Sequence, residues 1–150
     1  NCGPLDTPGQ MRLLLDDVAS PRVKVILDPA NMTTHRNVFS VTDLLNEMFD
    51  LLGADTVAAH AKDLDYDDRH LITKIDEVPL GTGRMDYETY LRRLGQLDDS
   101  AVLCIEHFRD VGVSGTAASP VYVDYETDVE NTRARNFIHD VAAALGVELA

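Results

Sequence analysis

The chain has 150 residues, of which 45% are apolar and 26% are charged, so it can bury one core and is expected to form a single domain. Its 26 acidic residues outnumber the 13 basic ones, and the formal net charge of −13 disfavours a nucleic-acid partner, since such proteins need basic surface to neutralise phosphates. No run comes near the roughly 18 apolar residues that a membrane span needs, and no secretory leader is visible, so the sequence predicts a cytoplasmic protein with no membrane partner. The two cysteines, Cys2 and Cys104, form no CxxC pair and are expected to be reduced thiols.

Apolar runs and amphipathic patterns alternate along the chain. Three runs rich in Val, Ile, Leu and Ala predict strands buried on both faces, and the segments with helical apolar spacing between them predict helices. In chain order, the predicted elements are a helix at 7–20, a strand at 23–28, a helix at 40–55, a strand at 56–63, a helix at 86–97, a strand at 101–108 and a helix at about 128–145. This order predicts an α/β fold with parallel strands and right-handed crossovers. Residues 109–128 are expected to form one irregular loop, a length that is uncommon without a function.

Capping residues mark the ends of the predicted helices. Thr7 is expected to cap the first helix, with Pro8 in the first turn, where its missing N–H does no harm. Ser40 and Asp86 are expected to cap the second and third helices, and Gly53 to end the second.

Ionisable side chains stand at the end of every predicted strand and at none of the strand starts. Asp28 ends the first strand, His60 and Asp63 end the second, and Glu106 ends the third. Parallel α/β folds build their sites at the carboxyl ends of strands, so these side chains are expected to meet. An imidazole and two carboxylates form a common ligand set for Mn²⁺, Co²⁺, Zn²⁺ or a similar divalent ion.

A glycine-containing turn precedes the third helix, in the sequence PLGTGRMDY at 79–87. Such a turn is most often only a tight connection. A helix start there is also able to receive an anionic group of a substrate.

Four short motifs together resemble a known family. LDPAN (27–31), HAKD (60–63), GTGRMDY (81–87) and IEHF (105–108), in this order and spacing, look like the C-terminal half of sugar phosphate isomerase/epimerase proteins with the xylose isomerase-like TIM barrel. The resemblance implies that the chain is the C-terminal part of a (β/α)8 barrel, about three βα units with flanking helices. A full barrel takes about 250 residues, so residues 1–150 are expected to be a fragment of a longer barrel.

The resemblance also implies a metal site at the mouth of the barrel. Matched position by position, Asp28, His60 and Glu106 are three of four ligands to Mn, Mg, Co or Zn, and the fourth, a Glu, is expected to end the strand that precedes this chain. Alone, the chain would have open sheet edges and would need partner halves, so a homo-oligomer is a further expectation.

In the resembling proteins, the metal ion holds a sugar or polyol while a carboxylate removes the proton next to a carbonyl. The match therefore implies an isomerase or epimerase that acts through an enediolate, with Glu106 as its acid/base residue. Asn31 is expected to contact the substrate, because it occupies a position where several epimerases of the family have a substrate-contacting His; the change from His weakens the case for a ketohexose epimerase in particular. Lys62 is expected either to contact a substrate oxygen or to be a solvated charge, and His35 either to line the pocket or to pack beside it.

Three other functions stay open for such a chain. The first is a dehydratase acting on polyols or inososes, which belongs to the same family. The second is a type IV apurinic endonuclease, suggested by the DRH sequence at 68–70; the spacing from His60 and the acidic charge argue against it. The third is a sugar-binding barrel without catalysis, which the polar strand ends disfavour.

Overall fold

The computed structural model describes residues 5–69, 71–97, 100–106, 113–116, 119–122 and 127–149. Five α-helices and seven strands lie in this part of the chain. They are, in order, α1 (Pro8–Val18), β1 (Val25–Leu27), α2 (Pro29–Met32), α3 (Val41–Leu52), β2 (Thr56–Ala61), β3 (Asp63–Asp67), β4 (Lys74–Val78), α4 (Tyr87–Leu94), β5 (Val102–Ile105), β6 (Val113–Thr116), β7 (Ser119–Tyr122) and α5 (Thr127–Leu145). A short 3-10 turn, Gly53–Asp55, joins α3 to β2.

The three strands predicted from apolar runs form one parallel sheet in the order β1-β2-β5. Ile26 pairs with Ala58, and Ala58 pairs with Val102, so these three residues form a row on one face. That face is open, with Ile26 56% and Val102 55% exposed, whereas Leu27 on the opposite face is fully buried. The sheet therefore packs its helices on one face only.

The helices cover the buried face of the sheet and form the core with it. The largest side chains that are almost fully buried come from both layers: Tyr90, Leu27, Leu45, Met48, Leu52 and Leu91. In α3 the buried residues recur at helical spacing, which places one apolar stripe against the strands.

The capping predictions are confirmed in their main points. Thr7 accepts a hydrogen bond from the amide of Gln10, and Asp86 accepts one from the amide of Thr89. Ser40 is the N-cap residue of α3 but makes no capping bond with its side chain, and Gly53 ends that helix by starting the 3-10 turn.

An antiparallel hairpin, β3 with β4, follows directly after β2 and was not predicted. Its neighbours hold it on two sides. The ring of Phe39 packs edge-on against Tyr66 at a centroid distance of 4.9 Å, and the guanidinium of Arg84 lies 4.4 Å from the centre of the same Tyr66 ring. Arg84 also donates to the Asp65 carboxylate at 2.8 Å. The hairpin thus stands fixed beside the carboxyl end of the sheet.

The prediction of one irregular loop at 109–128 was wrong in part. Within it, β6 and β7 pair antiparallel, with Val113 opposite Tyr122. A proline at position 120 hid this strand, because proline donates no ladder hydrogen bond and is usually a sign against a strand. Among the helices that the structure describes, none combines the length and the apolar character that a membrane crossing needs.

Candidate metal centre

Asp28, His60 and Glu106 come together at the carboxyl end of the parallel sheet. Leu27 pairs with Ala59, so the residues that follow them, Asp28 and His60, lie side by side. The amide of Glu106 donates to the Ala61 carbonyl at 3.1 Å and extends the ladder between β2 and β5 by one residue. Strand register alone therefore brings the three predicted ligands together.

The three side chains converge on one point. The Nδ1 atom of His60 lies 3.1 Å from Asp28 Oδ2 and 2.6 Å from Glu106 Oε2, and one ligand atom from each residue lies within 4.8 Å of the others. Glu106 Oε2 is buried, and among the described residues it accepts no hydrogen bond despite its closeness to His60 Nδ1. A buried oxygen of this kind is expected to have a partner, and a divalent ion that contacts all three side chains would supply it.

Lys62 lies behind the two carboxylates. Its Nζ atom is 3.1 Å from Asp28 Oδ2 and 3.3 Å from Glu106 Oε1, and its side chain is 1% exposed. Burial alone would lower the pKa of Lys62, but hydrogen bonding and charge attraction from Asp28 and Glu106 outweigh burial and raise this pKa. The lysine thus stays charged and offsets part of the negative charge of the centre.

The sequence Asp-Pro-Ala-Asn fixes the orientation of Asp28. Asp28 is the N-cap residue of α2, Pro29 follows in the first turn, and the amide of Asn31 donates to Asp28 Oδ1 at 3.0 Å. The side-chain nitrogen of Asn31 donates to Asp28 Oδ2 at 2.8 Å. Asn31 therefore orients the candidate ligand Asp28 in this structure, and its contact with a substrate stays a prediction.

A cleft of about 740 Å³ adjoins the centre, between the chain after β1 and the hairpin. Asp28, Asn31 and His35 line one side, and Leu64, Ile75 and Glu77 line the other. The Nε2 atom of His35 lies 2.7 Å from the Thr73 carbonyl, a contact that joins the two walls. Of the predicted substrate-binding residues, Asn31 and His35 line this cleft, while Lys62 lies beneath the ligands.

Two tyrosines of α4 support the strand that carries His60 and Lys62, and the sequence analysis missed both. The Tyr87 hydroxyl donates to the Lys62 carbonyl at 2.7 Å, and the Tyr90 hydroxyl donates to the His60 carbonyl at 2.9 Å. Both rings are buried. A buried tyrosine needs a partner for its hydroxyl, so two tyrosines on an apolar helix face were a signal for such contacts.

Comparison with known proteins agrees with this architecture. The family described as "Xylose isomerase-like TIM barrel" matches residues 1–134. The chain belongs to that family. The three parallel strands with their helices are accordingly part of a TIM-barrel sheet.

A solved structure of the same kind supports the fold. The Xylose isomerase domain protein from Planctomyces limnophilus resembles the chain with a TM-score of 0.62 at 17% identity, a likeness that shows the fold alone. The alignment covers 97% of this chain and 46% of that protein, so the chain spans less than half of its length. No curated protein matches the chain.

Two predictions fall outside the part of the chain that the structure describes. They concern His70, the last residue of the DRH sequence, and the thiol of Cys2. Cys104 is a free, exposed thiol in β5, directly across the ladder from His60.

Proposed function

We propose that the protein is a divalent-metal-dependent isomerase or epimerase of sugars or polyols. The observation that carries this proposal is the convergence of Asp28, His60 and Glu106 around a buried carboxylate oxygen without a hydrogen-bond partner among the described residues. Oxygen and imidazole donors of this kind suit Mn²⁺, Mg²⁺, Co²⁺ and Zn²⁺. Membership of the xylose isomerase-like family supports the same chemistry.

In this proposal the three ligands hold the ion and the cleft beside Asp28 receives the substrate. When bound, the ion would polarise a substrate carbonyl as a Lewis acid. Asn31 keeps Asp28 oriented through its two hydrogen bonds, and Lys62 keeps Asp28 and Glu106 from repelling each other. The residues of the chain thereby prepare the centre before a substrate arrives.

Glu106 is the residue proposed to move the proton. Its carboxylate would take the proton from the carbon next to the substrate carbonyl; the electrons of that C–H bond would form the carbon–carbon double bond of an enediolate while the π electrons of the carbonyl move onto its oxygen. Return of the proton to the neighbouring carbon, together with transfer of the hydroxyl proton from one oxygen to the other, gives the isomer. Return of the proton to the opposite face of the same carbon restores the carbonyl and gives the epimer. The second of these outcomes requires another acid on the far side of the substrate.

We propose that this second acid is a Glu on a preceding strand and that residues 1–150 are part of a longer barrel. The open row of Ile26, Ala58 and Val102 supports the proposal, since in a closed barrel this face packs against the strands opposite. The 46% coverage of the related structure supports it as well.

Metal analysis combined with solvent exchange tests the proposed function. The protein is loaded with Mn²⁺ and desalted, and its metal content is compared with that of His60→Ala and of His139→Ala, a control on the exposed side of α5. We expect about one ion per chain in the parent and the control, and none in His60→Ala. The parent should also exchange the hydrogen next to the carbonyl of a ketose or inosose with deuterium oxide, and Glu106→Gln should not.

Two results would contradict the proposal. Absence of metal from the parent would remove the metal mechanism. About three zinc ions per chain would instead favour a phosphodiester hydrolase of the endonuclease type.

A further inference from the structure

Asp63 is a buried carboxylate beside the candidate metal centre that takes no part in it. The residue is 2% exposed, and its oxygens accept hydrogen bonds from four backbone amides. Those of Gly81 and Gly83 donate to Oδ2 at 2.9 Å, and those of Leu64 and Met85 donate to Oδ1 at 2.9 and 3.1 Å. Three of these donors lie in residues 81–85, here called the glycine turn. The amides that the sequence analysis considered for an anionic substrate thus bind an anion of the protein itself.

The glycine turn is shaped to fit this carboxylate closely. A Cβ atom on Gly83 would lie 2.3 Å from Asp63 Oδ1 and 2.5 Å from the Leu64 carbonyl oxygen, so no larger residue fits there without displacement. Gly81 has a φ of 87°, a conformation that side chains disfavour. The amide of Arg84 adds a further bond to the Leu64 carbonyl at 2.7 Å. Asp63 and the start of β3 therefore fix the path of the turn.

The same turn sets the position of α4, which begins two residues after it. Tyr87 of this helix donates to the Lys62 carbonyl, and Tyr90 donates to the His60 carbonyl. His60 lies in β2 and Lys62 directly follows it, and the side chains of both belong to the candidate metal centre. Rotation of either peptide would change the direction of the side chain attached to it. A chain of contacts thus runs from Asp63 through the glycine turn and α4 to the backbone carbonyls of His60 and Lys62.

We propose that Asp63 is a positioning residue for the metal centre, which holds His60 and Lys62 in their binding orientation through the glycine turn and α4. This inference rests on the proposed metal function. It assigns a role to a residue that contacts neither the ligand atoms nor the cleft. Direct hydrogen-bond partners of metal ligands commonly change metal affinity by about 10- to 100-fold when they are altered. Asp63 acts through the glycine turn and α4, so the lower end of that range is the effect expected of it.

The test compares Asp63→Asn with Asp55→Asn. Asp55 precedes the other end of β2, where it pairs with Arg12 at 2.8 Å and with Lys24 at 3.1 Å, so its loss also removes a carboxylate with several partners. Mn²⁺ affinity is measured by isothermal titration. We expect a loss of roughly tenfold or more in Asp63→Asn. Asp55→Asn should stay within about twofold of the parent, since distant sites act independently.

Tyr87→Phe provides a second, milder variant, because it keeps the ring and removes only the hydroxyl that binds the Lys62 carbonyl. It should weaken Mn²⁺ binding in the same direction as Asp63→Asn and by less. Parent affinity in both Asp63→Asn and Tyr87→Phe would overturn the inference while the metal site stands.

A metal-free measurement separates this inference from the proposed function. Imidazole NMR signals of His60 are compared between the parent and Asp63→Asn without any ion. Displaced His60 signals in Asp63→Asn, with unchanged signals in Asp55→Asn, support the positioning role even if the parent binds no Mn²⁺. Unchanged His60 signals in Asp63→Asn, together with no Mn²⁺ binding by the parent, would overturn both.

Discussion

Two aspartates at the ends of neighbouring parallel strands have opposite surroundings. After β1, the Oδ2 atom of Asp28 contacts the side chains of His60, Lys62 and Asn31, its Oδ1 atom accepts from the Asn31 amide, and the residue lines the cleft. Asp63, after β2, accepts from four backbone amides and is buried to 2% exposure. One oxygen of Asp28 thus faces side-chain groups that can move, exchange partners or share an ion, whereas both oxygens of Asp63 face backbone donors fixed in the chain.

This difference separates Asp28, a candidate metal ligand, from Asp63, which holds the glycine turn. Side-chain partners leave Asp28 free to take an ion in place of the His60 and Lys62 contacts. Backbone partners do not exchange without a change in the chain path, so Asp63 is suited to holding a turn. The type of donor, more than the distance from the sheet, tells the two aspartates apart.

The largest expected effect comes from removing the two carboxylates separately. Asp63→Ala leaves buried backbone amides without partners and should lower the free energy of unfolding by about 3 kcal/mol or more. Asp28→Ala should cost less: it removes an N-cap, worth about 1 kcal/mol, and one of the two carboxylates beside the buried Lys62, which keeps Glu106 as its partner, and it should also abolish metal binding. Urea denaturation of the metal-free variants measures both. Equal losses of stability in the two variants would contradict the difference between Asp28 and Asp63.

A smaller effect is expected from adding a methyl group to the glycine turn. Gly83→Ala places a Cβ against Asp63 and should lower the free energy of unfolding by about 2 kcal/mol through overpacking. Gly9→Ala is the matched control, because nothing lies within 4 Å of the added atom and it sits in α1; it should gain roughly 0.5 kcal/mol. Thermal unfolding of both variants checks this contrast, which would fail if Gly83→Ala were as stable as the parent.

The smallest expected effect concerns Tyr87 and depends on pH. Burial raises the pKa of the Tyr87 phenol far above its usual value, so the folded state keeps this proton while the unfolded state loses it above about pH 10. The stability that the phenol contributes is therefore complete below pH 10 and falls by up to about 1.4 kcal/mol per pH unit above it. Tyr87→Phe should cost about 1 kcal/mol at pH 7 for the lost hydrogen bond.

The difference in the free energy of unfolding between the parent and Tyr87→Phe should then shrink and change sign as the pH rises towards 11. Urea denaturation at a series of pH values measures it. A difference that stays constant from pH 8 to pH 11 would show that the hydroxyl is not buried as described.

The parallel sheet and the meeting of Asp28, His60 and Glu106 were predictable because both signals are local in the sequence. Each strand holds a short apolar run, and each of these three residues stands directly after one. Once the strands are parallel, their carboxyl ends must share one edge, so Asp28, His60 and Glu106 meet without any further information.

The hairpin and the role of Asp63 were not predictable from local patterns. Strands β3 and β4 carry charged residues, and Asp65 stands directly opposite Asp76, a pairing that destabilises a ladder unless cations offset it. The cations that offset this repulsion are Arg84, which donates to Asp65, and Lys74, which donates to Asp76. Arg84 lies 19 residues from Asp65 in the sequence. The bonds of Asp63 to the glycine turn likewise span 18 to 22 residues.

The fastening of the hairpin has a consequence for how molecules enter the cleft. Three contacts hold the hairpin: His35 with the Thr73 carbonyl, Phe39 with the Tyr66 ring, and Arg84 with the Asp65 carboxylate. They come from the loop between α2 and α3 and from the glycine turn. An outward movement of the hairpin would break all three at once. The hairpin is thus expected to stay in place as one side of the cleft. In the proposed function, selectivity on this side of the cleft depends on the shape that Leu64, Ile75 and Glu77 present to an entering molecule.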